Sequence, residues 1–210
     1  MSATPLHALA ARHPRLPFVE FERARLAALQ ADPDPPLSIG AYATRSRVAS
    51  EGPNDEFQRE HLLDAAFGPE RFKKPSEQLR AGRVPAWGLS LKIEERGEMI
   101  GTLRLWRIYA GVGCPALLLG PLAVSARRRG EGLGAALVEE SLARARRLGH
   151  RAVLLVGDAA YYGRFGFTRR LTETLLFPGD IDLDRFLAVE LFSGALNGAR
   201  GRVIAPTRVF

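Results

Sequence analysis

Cysteine is nearly absent from this chain of 210 residues: Cys114 stands alone, so an intrachain disulfide and a cysteine-based zinc cluster are both excluded. Such cysteine usage fits a reducing compartment. Long apolar runs are also missing, because the longest, 112–126, is interrupted by glycine and proline and is too short to span a bilayer. The N-terminus lacks the basic-then-apolar pattern of a signal peptide. We therefore expect a cytoplasmic protein with neither a membrane partner nor a bound metal.

Lysine is scarce as well, and almost all of the cationic side chains behind the net charge of +7 are arginine. A basic protein can bind nucleic acid by neutralising phosphates. This sequence, however, has no basic tail, no recognition-helix signature and no aromatic motif of a base-stacking sheet. Its densest cationic cluster, 127–129, instead adjoins a glycine-rich turn. The sequence therefore does not favour nucleic acid as a partner.

With 46% hydrophobic residues, a chain of this length can bury one sizeable core, whereas two smaller domains would each be marginal. Proline and alanine are concentrated near the start, which interrupts regular structure there. We divide the chain into a Pro/Ala-rich N-terminal extension, 1–37, and one domain, 38–210. Within the extension, 18–29 could form about three turns of helix that pack on the domain or contact a partner.

The most informative segment follows the apolar run 116–124, where an arginine- and glycine-rich turn leads into an amphipathic segment. Glycines let the backbone approach a ligand, and the new helix offers unpaired N–H groups and the positive end of its dipole. The turn favours a phosphate-bearing ligand, although an ordinary tight strand-to-helix turn has the same spacing. The pattern Gly130-x-Gly132-x-Gly134 excludes the dinucleotide fingerprint, and no Gly-Lys-Ser/Thr follows to make a Walker loop.

Read as Arg-x-x-Gly-x-Gly, the same turn resembles motif A of the GNAT superfamily of N-acetyltransferases, whose turn holds the pyrophosphate of acetyl-CoA. The resemblance implies binding chiefly through main-chain N–H groups. Arg127 and Arg128 would either contact phosphates at the periphery or remain solvated charges. A carboxylate in the turn must point outward to avoid repelling phosphate. The residues implied in cofactor binding here are Arg129, Gly130, Glu131, Gly132, Leu133 and Gly134.

A second segment, 157–167, resembles motif B of the same superfamily, because Tyr162 stands four residues before Gly166. With 119–124, it resembles the YhbS-like branch in particular, and the resemblance covers roughly 55–205. It implies that Tyr162 contacts the cofactor and acts as general acid toward the CoA thiolate, since a phenol pKa of about 10 is not far above that of a thiol. We interpret Asp158 first as a helix cap and second as a cofactor contact, and expect Tyr161 in the core.

The resemblance assigns placement of the thioester to the fourth strand. Main-chain groups of Leu122, Ala123 and Val124 would pair with pantetheine, and the Leu122 N–H would polarise the thioester carbonyl, which can contribute about 3 kcal/mol to the barrier. Pro121 has no N–H and would help the strand splay, unless it marks a strand irregularity without a ligand. The strand 114–124 contains no carboxylate to act as general base. A water chain, a loop residue or ionisation of the amine itself could replace it.

The resemblance implies the α/β (α+β) GNAT-type acyl-CoA N-acyltransferase fold: a central mixed, twisted sheet flanked by helices, with a splayed fourth strand. Periodicity and turn residues predict the individual elements independently. The predicted helices are 54–67, 76–82, 130–148 and a short one after Asp158. The predicted strands are 38–48, 88–95, 98–109, 114–124, 151–156, 167–177 and 186–192, with an extended end at 202–210.

The function implied by the resemblance is transfer of an acetyl group from acetyl-CoA to a primary amine of a small molecule or protein. The alternative is a non-catalytic acyl-CoA-binding sensor or interaction module with the same fold. The residues 50–87 and the segment after Phe167 are where we expect the acceptor pocket. Whether the chain forms a homodimer is left open by the sequence.

Overall fold

The computed structural model describes residues 48–207. The predicted extension 1–37, its helix 18–29, the domain boundary after residue 37 and most of the predicted strand 38–48 lie outside the described residues. The helices are α1 (Glu56–Phe67), α2 (Leu133–Arg147) and α3 (Ala159–Gly163). The strands are β1 (Val48–Ser50), β2 (Ser90–Glu95), β3 (Glu98–Ala110), β4 (Pro115–Val124), β5 (Ala152–Val156), β6 (Leu175–Leu176), β7 (Phe186–Glu190) and β8 (Gly201–Ile204).

The strands form one mixed sheet in the order β1-β2-β3-β4-β5-β7, with β8 paired to both β3 and β6. The pairs β4–β5 and β6–β8 are parallel, and the other pairs are antiparallel. The predicted strand–helix–strand passage through β4, α2 and β5 is therefore confirmed. Arg96 and Gly97 connect β2 to β3 with positive φ values of 51° and 81°, as a tight hairpin turn requires.

Helix α2 packs its apolar stripe on one face of the sheet, and Leu137, Val138 and Ala145 are fully buried there. Gly149, at φ 77°, ends the helix in a Schellman arrangement: its N–H donates to the Arg146 carbonyl at 3.0 Å and the next N–H donates to Ala145 at 2.9 Å. The opposite face carries a second hydrophobic cluster around Trp106, Leu118, Leu154 and Phe186. In the range 48–207, no helix is long and apolar enough to cross a bilayer.

Two predicted elements differ from the structure. The predicted helix 76–82 is a short 3-10 helix, Pro75–Leu79. The predicted strand 167–177 is wrong: it contains a 3-10 helix, Arg169–Thr172, and its only regular strand is the two residues of β6, while Thr168 makes an isolated antiparallel bridge to Ala188. The buried Thr172 hydroxyl lies 2.6 Å from the Phe186 carbonyl oxygen and bonds to it, which anchors this turn against β7. A tertiary hydrogen bond thus overrides the local strand propensity.

Candidate functional site

Strand β4 separates from β5 halfway along its length. Paired residues occur at Leu117 and Leu118 only, while β3 stays paired with β4 as far as Val124. Between Leu103 and Leu105 the β3–β4 register shifts, so β4 carries an extra residue beside Pro121. The splayed fourth strand expected from the sequence is therefore confirmed, and the far half of β4 has one edge without a strand partner among the described residues.

The register shows which N–H groups of β4 face this free edge. Ser125 N–H donates to its register partner, the Ile100 carbonyl, at 2.9 Å. Hydrogen-bonded and non-hydrogen-bonded pairs alternate along an antiparallel ladder. The N–H of Ala123 therefore points toward β3, whereas the N–H groups of Leu122 and Val124 point toward the side that β5 has left.

The turn after β4 leaves the start of α2 uncapped. Gly132 occupies the N-cap position in the left-handed region, with φ 79°, and makes no side-chain cap. Gly130 also has a positive φ, of 86°. The first N–H groups of a helix have no intrahelical partner. These groups of α2 are thus available to an anion at a helix terminus that is itself electropositive.

A cavity of about 440 Å³ joins the free edge of β4 to the start of α2. Seven of the eleven residues predicted to contact a cofactor line it: Leu122, Val124, Arg129, Gly130, Gly132, Leu133 and Gly134. Arg128, a candidate for peripheral phosphate contact, lines it too; the lining residues that the sequence did not indicate as cofactor contacts are Ala66, Phe67, Ala135, Tyr161 and Arg164.

Arginines at the cavity differ in how they are held. Arg128 is ion-paired with Glu131 and Glu95, which raises its pKa. Glu131 therefore turns toward Arg128, away from the cavity, as anticipated. Arg129 is exposed and forms no ion pair within the described residues, so its charge remains available to a bound anion. Arg164 stacks over the Tyr161 ring, with its guanidinium carbon 4.1 Å from the ring centroid.

The positions of the two adjacent tyrosines differ from those expected, which were Tyr161 in the core and Tyr162 at the cofactor. Tyr161 lines the cavity, and a Cβ on Gly134 would lie 2.8 Å from its hydroxyl oxygen. The prediction that Tyr161 is a core residue is therefore wrong. Tyr162 does not line this cavity; its ring packs on the main hydrophobic cluster and edge-on to Phe167, 5.8 Å between centroids. A helical turn directs consecutive side chains about 100° apart, so local spacing alone could not decide which phenol faces the ligand.

Burial raises the pKa of Tyr162 to about 12, with the neighbouring Tyr161 acting in the same direction and Arg185 opposing it. The hydroxyl is consequently protonated at neutral pH, which is the state that a proton donor needs. It is also a weaker acid than a free phenol.

The remaining predicted site residues lie beside the cavity. Asp158 caps α3, because its carboxylate accepts the Tyr161 N–H at 2.7 Å. The interpretation of Asp158 as a helix cap is therefore confirmed. Ala123 is buried against α1 with Leu62 and Met99.

In the part of the chain that the structure describes, no group of three or more His, Cys, Asp or Glu side chains is placed to hold a metal ion.

Comparison with known proteins agrees with this geometry. A sequence profile of the Acetyltransferase (GNAT) family matches residues 54–167, from α1 to the end of motif B. The uncharacterized N-acetyltransferase YhbS of Escherichia coli strain K12 is 31% identical over 143 residues, covering 68% of this chain and 85% of YhbS.

Solved structures give the same result. YhbS from Escherichia coli in complex with CoA superposes with a TM-score of 0.68 at 29% identity, over 80% of this chain and 94% of that one. A GNAT family acetyltransferase from Brucella melitensis in complex with acetyl-CoA gives a TM-score of 0.53 at 30% identity, over 69% and 86% of the two chains. Both the fold and the resemblance drawn from the sequence are confirmed, and the chain belongs to the GNAT family of acetyltransferases.

Proposed function

We propose that the protein transfers an acetyl group from acetyl-CoA to a primary amine of a small molecule or protein. The observation that supports this most directly is the cavity between the uncapped start of α2 and the free edge of β4. The end of the cavity at the start of α2 suits phosphates, and the end at β4 suits an extended chain with amide groups. The relatives solved with CoA and acetyl-CoA support the same occupant.

The turn before α2 would hold the pyrophosphate. Main-chain N–H groups from Gly130 to Gly134 and the unpaired Arg129 supply donors and positive charge, and Glu131 contributes only its backbone because its carboxylate is paired with Arg128. The absence of a side chain on Gly134 keeps the Tyr161 hydroxyl and the helix start close together. The residues therefore fit a phosphate-bearing cofactor.

The far half of β4 would hold the pantetheine and the thioester. The free N–H and carbonyl groups of Leu122 and Val124 can pair with amides as an added strand would. We assign polarisation of the thioester carbonyl to the Leu122 N–H. A single donor of this kind contributes about 3 kcal/mol where it has been removed in other enzymes.

The reaction needs one bond made, one broken and two proton movements. The amine nitrogen bonds to the thioester carbonyl carbon, the carbon–sulfur bond breaks, the sulfur takes a proton and the amine nitrogen releases one. Tyr162 is our candidate donor to the sulfur, because its raised pKa keeps it protonated and its ring packs against Gly157, which directly follows β5. Asp158 would position this region by capping α3 rather than by contacting the cofactor.

A kinetic comparison of the two tyrosines tests the proposal. With acetyl-CoA and an accepted amine, Tyr162→Phe should lower kcat by about 100-fold, as loss of a general acid does, with little change in the KM for acetyl-CoA. Tyr161→Phe should instead raise the KM for acetyl-CoA, because its hydroxyl lines the cofactor cavity. Product amide is detected by mass spectrometry.

A near-normal kcat in Tyr162→Phe would remove the tyrosine from the mechanism. Tight acetyl-CoA binding without amide formation across a broad amine panel would favour the sensor or interaction module instead. The observation behind that alternative is that β4 offers no carboxylate as base and that the Tyr162 hydroxyl is a weakened acid.

A further inference from the structure

An arginine lies against Gly120, in the part of β4 beyond its pairing with β5. A Cβ on Gly120 would meet two atoms within 4 Å: Nη1 of Arg80 at 3.7 Å and the Leu122 nitrogen at 4.0 Å. These two groups are therefore no farther apart than the sum of these distances. Trp106 Nε1–H donates to the Gly120 carbonyl oxygen at 2.6 Å, which fixes the orientation of this peptide. A guanidinium and the backbone nitrogen assigned to the thioester carbonyl thus lie close to the same residue of β4.

Arg80 is buried but not fully satisfied. Its side chain is 8% exposed, and its Nη2 lies 3.1 Å from both the Ser76 hydroxyl and a Glu77 carboxylate oxygen. Its Nε is buried and has no hydrogen-bond partner in the described residues. Leaving a buried donor of a charged group unpaired is costly. A guanidinium also matches the planar oxygen pairs of carboxylate and phosphate, so a bound anion would satisfy Arg80.

Two further cations border the same region. Lys74 begins the 3-10 helix that ends beside Arg80, and its Nζ lies 4.3 Å from the centroid of Phe67, a lining residue of the cofactor cavity. Arg185 accepts the Gly157 N–H at 2.8 Å through its carbonyl oxygen, at the end of β5. Burial, followed by the nearby charges of Arg80 and Arg185, lowers the pKa of Lys74.

Contacts between chain segments bring these cations together. A Cβ on Gly179 would lie 2.9 Å from the Pro75 side chain, so the segment before β7 packs on the 3-10 helix between Lys74 and Arg80. Gly157, bonded to Arg185, lies directly against the Tyr162 ring, since a Cβ there would be 2.3 Å from a ring carbon. The Arg185 backbone is thereby placed beside the candidate proton donor.

Of the nearby acidic groups, only Glu77 forms an ion pair with one of these three cations within the described residues. Glu77 pairs with Arg80, whereas Lys74 and Arg185 form no ion pair within the described residues. Asp182 lies near Arg185 in the chain, but its carboxylate accepts the Asp184 N–H at 3.0 Å as a local cap. Lys74 and Arg185 therefore keep charges that no carboxylate pairs within the described residues, although Asp180, Asp182 and Asp184 stand in the same segment as Arg185.

We infer that the acceptor is a small amine carrying a carboxylate or phosphate group, and that Arg80, Lys74 and Arg185 bind this anionic group. The inference rests on the proposed acetyl transfer and specifies its substrate class. The short separation of Arg80 from Leu122 requires that only a few bonds join the anion to the reacting nitrogen. Cationic polyamines would be repelled. Nearby positive charge also favours the neutral amine over its ammonium form, which supplies a nucleophile without a carboxylate base on β4.

Matched pairs of amines test the inference on the full chain with acetyl-CoA. One pair is β-alanine and β-alaninamide, and the other is phosphoethanolamine and ethanolamine; the two pairs distinguish carboxylate from phosphate. We expect kcat/KM at least tenfold higher for the anionic member of at least one pair. Arg80→Met should abolish that preference, and Lys74→Met or Arg185→Gln should reduce it several-fold. Lys73→Met, which changes an exposed neighbour paired with Glu70, should leave it unchanged.

Because each result is a ratio of two substrates, a partial loss of folded Arg80→Met cancels. Amide formation with equal or better rates for the neutral members would overturn the inference and leave acetyl transfer intact. If no amine is acetylated while acetyl-CoA still binds, acetyl transfer itself fails. Calorimetric binding of the same pairs in the presence of CoA then decides the anion site: tighter binding of the anionic members supports it, and equal binding overturns it.

Discussion

At the scale of single residues, Tyr162 shows how packing sets chemistry. Its ring fits only because Gly157 has no side chain, since a Cβ there would lie 2.3 Å from a ring carbon. The same close packing removes water from the phenol and raises its pKa to about 12. The close packing that positions the Tyr162 hydroxyl therefore also keeps it protonated to higher pH.

This shift predicts a pH dependence of stability. The folded-state pKa is raised from an ordinary 10.0 to about 12, so the folded protein holds this proton to higher pH than the unfolded chain does. The corresponding contribution is present below pH 10 and lost between pH 10 and about 12, and it is on the order of 2 kcal/mol. Urea unfolding should show the wild-type protein losing more stability than Tyr162→Phe across that window.

Ultraviolet titration of the folded protein gives an independent check, because tyrosinate absorbs at longer wavelength than the phenol. Tyr162 should titrate in a late step, and that step should disappear in Tyr162→Phe. Identical titration curves for the two proteins would mean that the Tyr162 hydroxyl is not buried in solution.

At the scale of elements, the turn between β4 and α2 does two things at once. It ends a strand whose edge is free, and it starts a helix whose N–H groups are uncapped. Gly132 makes this geometry possible through its positive φ, whereas Gly134 is helical and matters for its close approach to Tyr161. The two glycines of motif A are thus required for different reasons.

Valine at these positions should weaken acetyl-CoA binding at least tenfold. In Gly132→Val the cause is backbone strain at the helix start, of order 1–3 kcal/mol for a side chain held at such a φ. In Gly134→Val the cause is a side chain that meets the Tyr161 hydroxyl. Gly97→Val is the matched control, because Gly97 has φ 81°, an open surrounding and a place in the β2–β3 turn. Calorimetry should show unchanged affinity in the control; unchanged affinity in both motif variants would place the site elsewhere.

Elements governed by local periodicity were predictable from the sequence. The long runs of β3 and β4 and the apolar stripe of α2 appear where alternation and helical spacing put them. The strand predicted at 167–177 failed because Thr172 bonds to Phe186, a contact between distant residues that no local pattern encodes.

The candidate site likewise combines a part that local sequence indicates with parts that depend on contacts between distant residues. The glycine turn is contiguous in sequence, so its spacing could indicate a phosphate-bearing ligand, while the resemblance to motif A was needed to choose between that ligand and an ordinary tight turn. Arg80, Lys74 and Arg185 could not be grouped in advance, because they meet only after the segment containing Gly179 has packed on the 3-10 helix. The acceptor pocket was expected within 50–87 and after Phe167, and these cations lie in those segments. The lack of a carboxylate partner for Lys74 and Arg185 within the described residues does not follow from spacing, and neither do the positions of Tyr161 and Tyr162.

At the scale of the whole molecule, the cavity is assembled from parts far apart in the chain. The end of α1, the far half of β4, the start of α2 and α3 each supply lining residues, and β4 and β5 are held together only at their near ends. A ligand that spans this cavity contacts all of these elements. Its binding energy therefore contributes to the stability of the domain as a unit.

Ligand-induced stabilisation consequently tests the site without assuming turnover. Acetyl-CoA at about a hundred times its dissociation constant should raise the free energy of unfolding by roughly 2.7 kcal/mol, provided that it does not bind the unfolded chain. Chemical denaturation with and without ligand measures this directly. At the same concentration NAD and ATP should add much less, because they bring phosphates to the turn before α2 but no pantetheine arm to pair with the free N–H groups of Leu122 and Val124. Stabilisation by ATP equal to that by acetyl-CoA would reduce the cavity to a general anion site, since the edge of β4 would then contribute nothing to recognition.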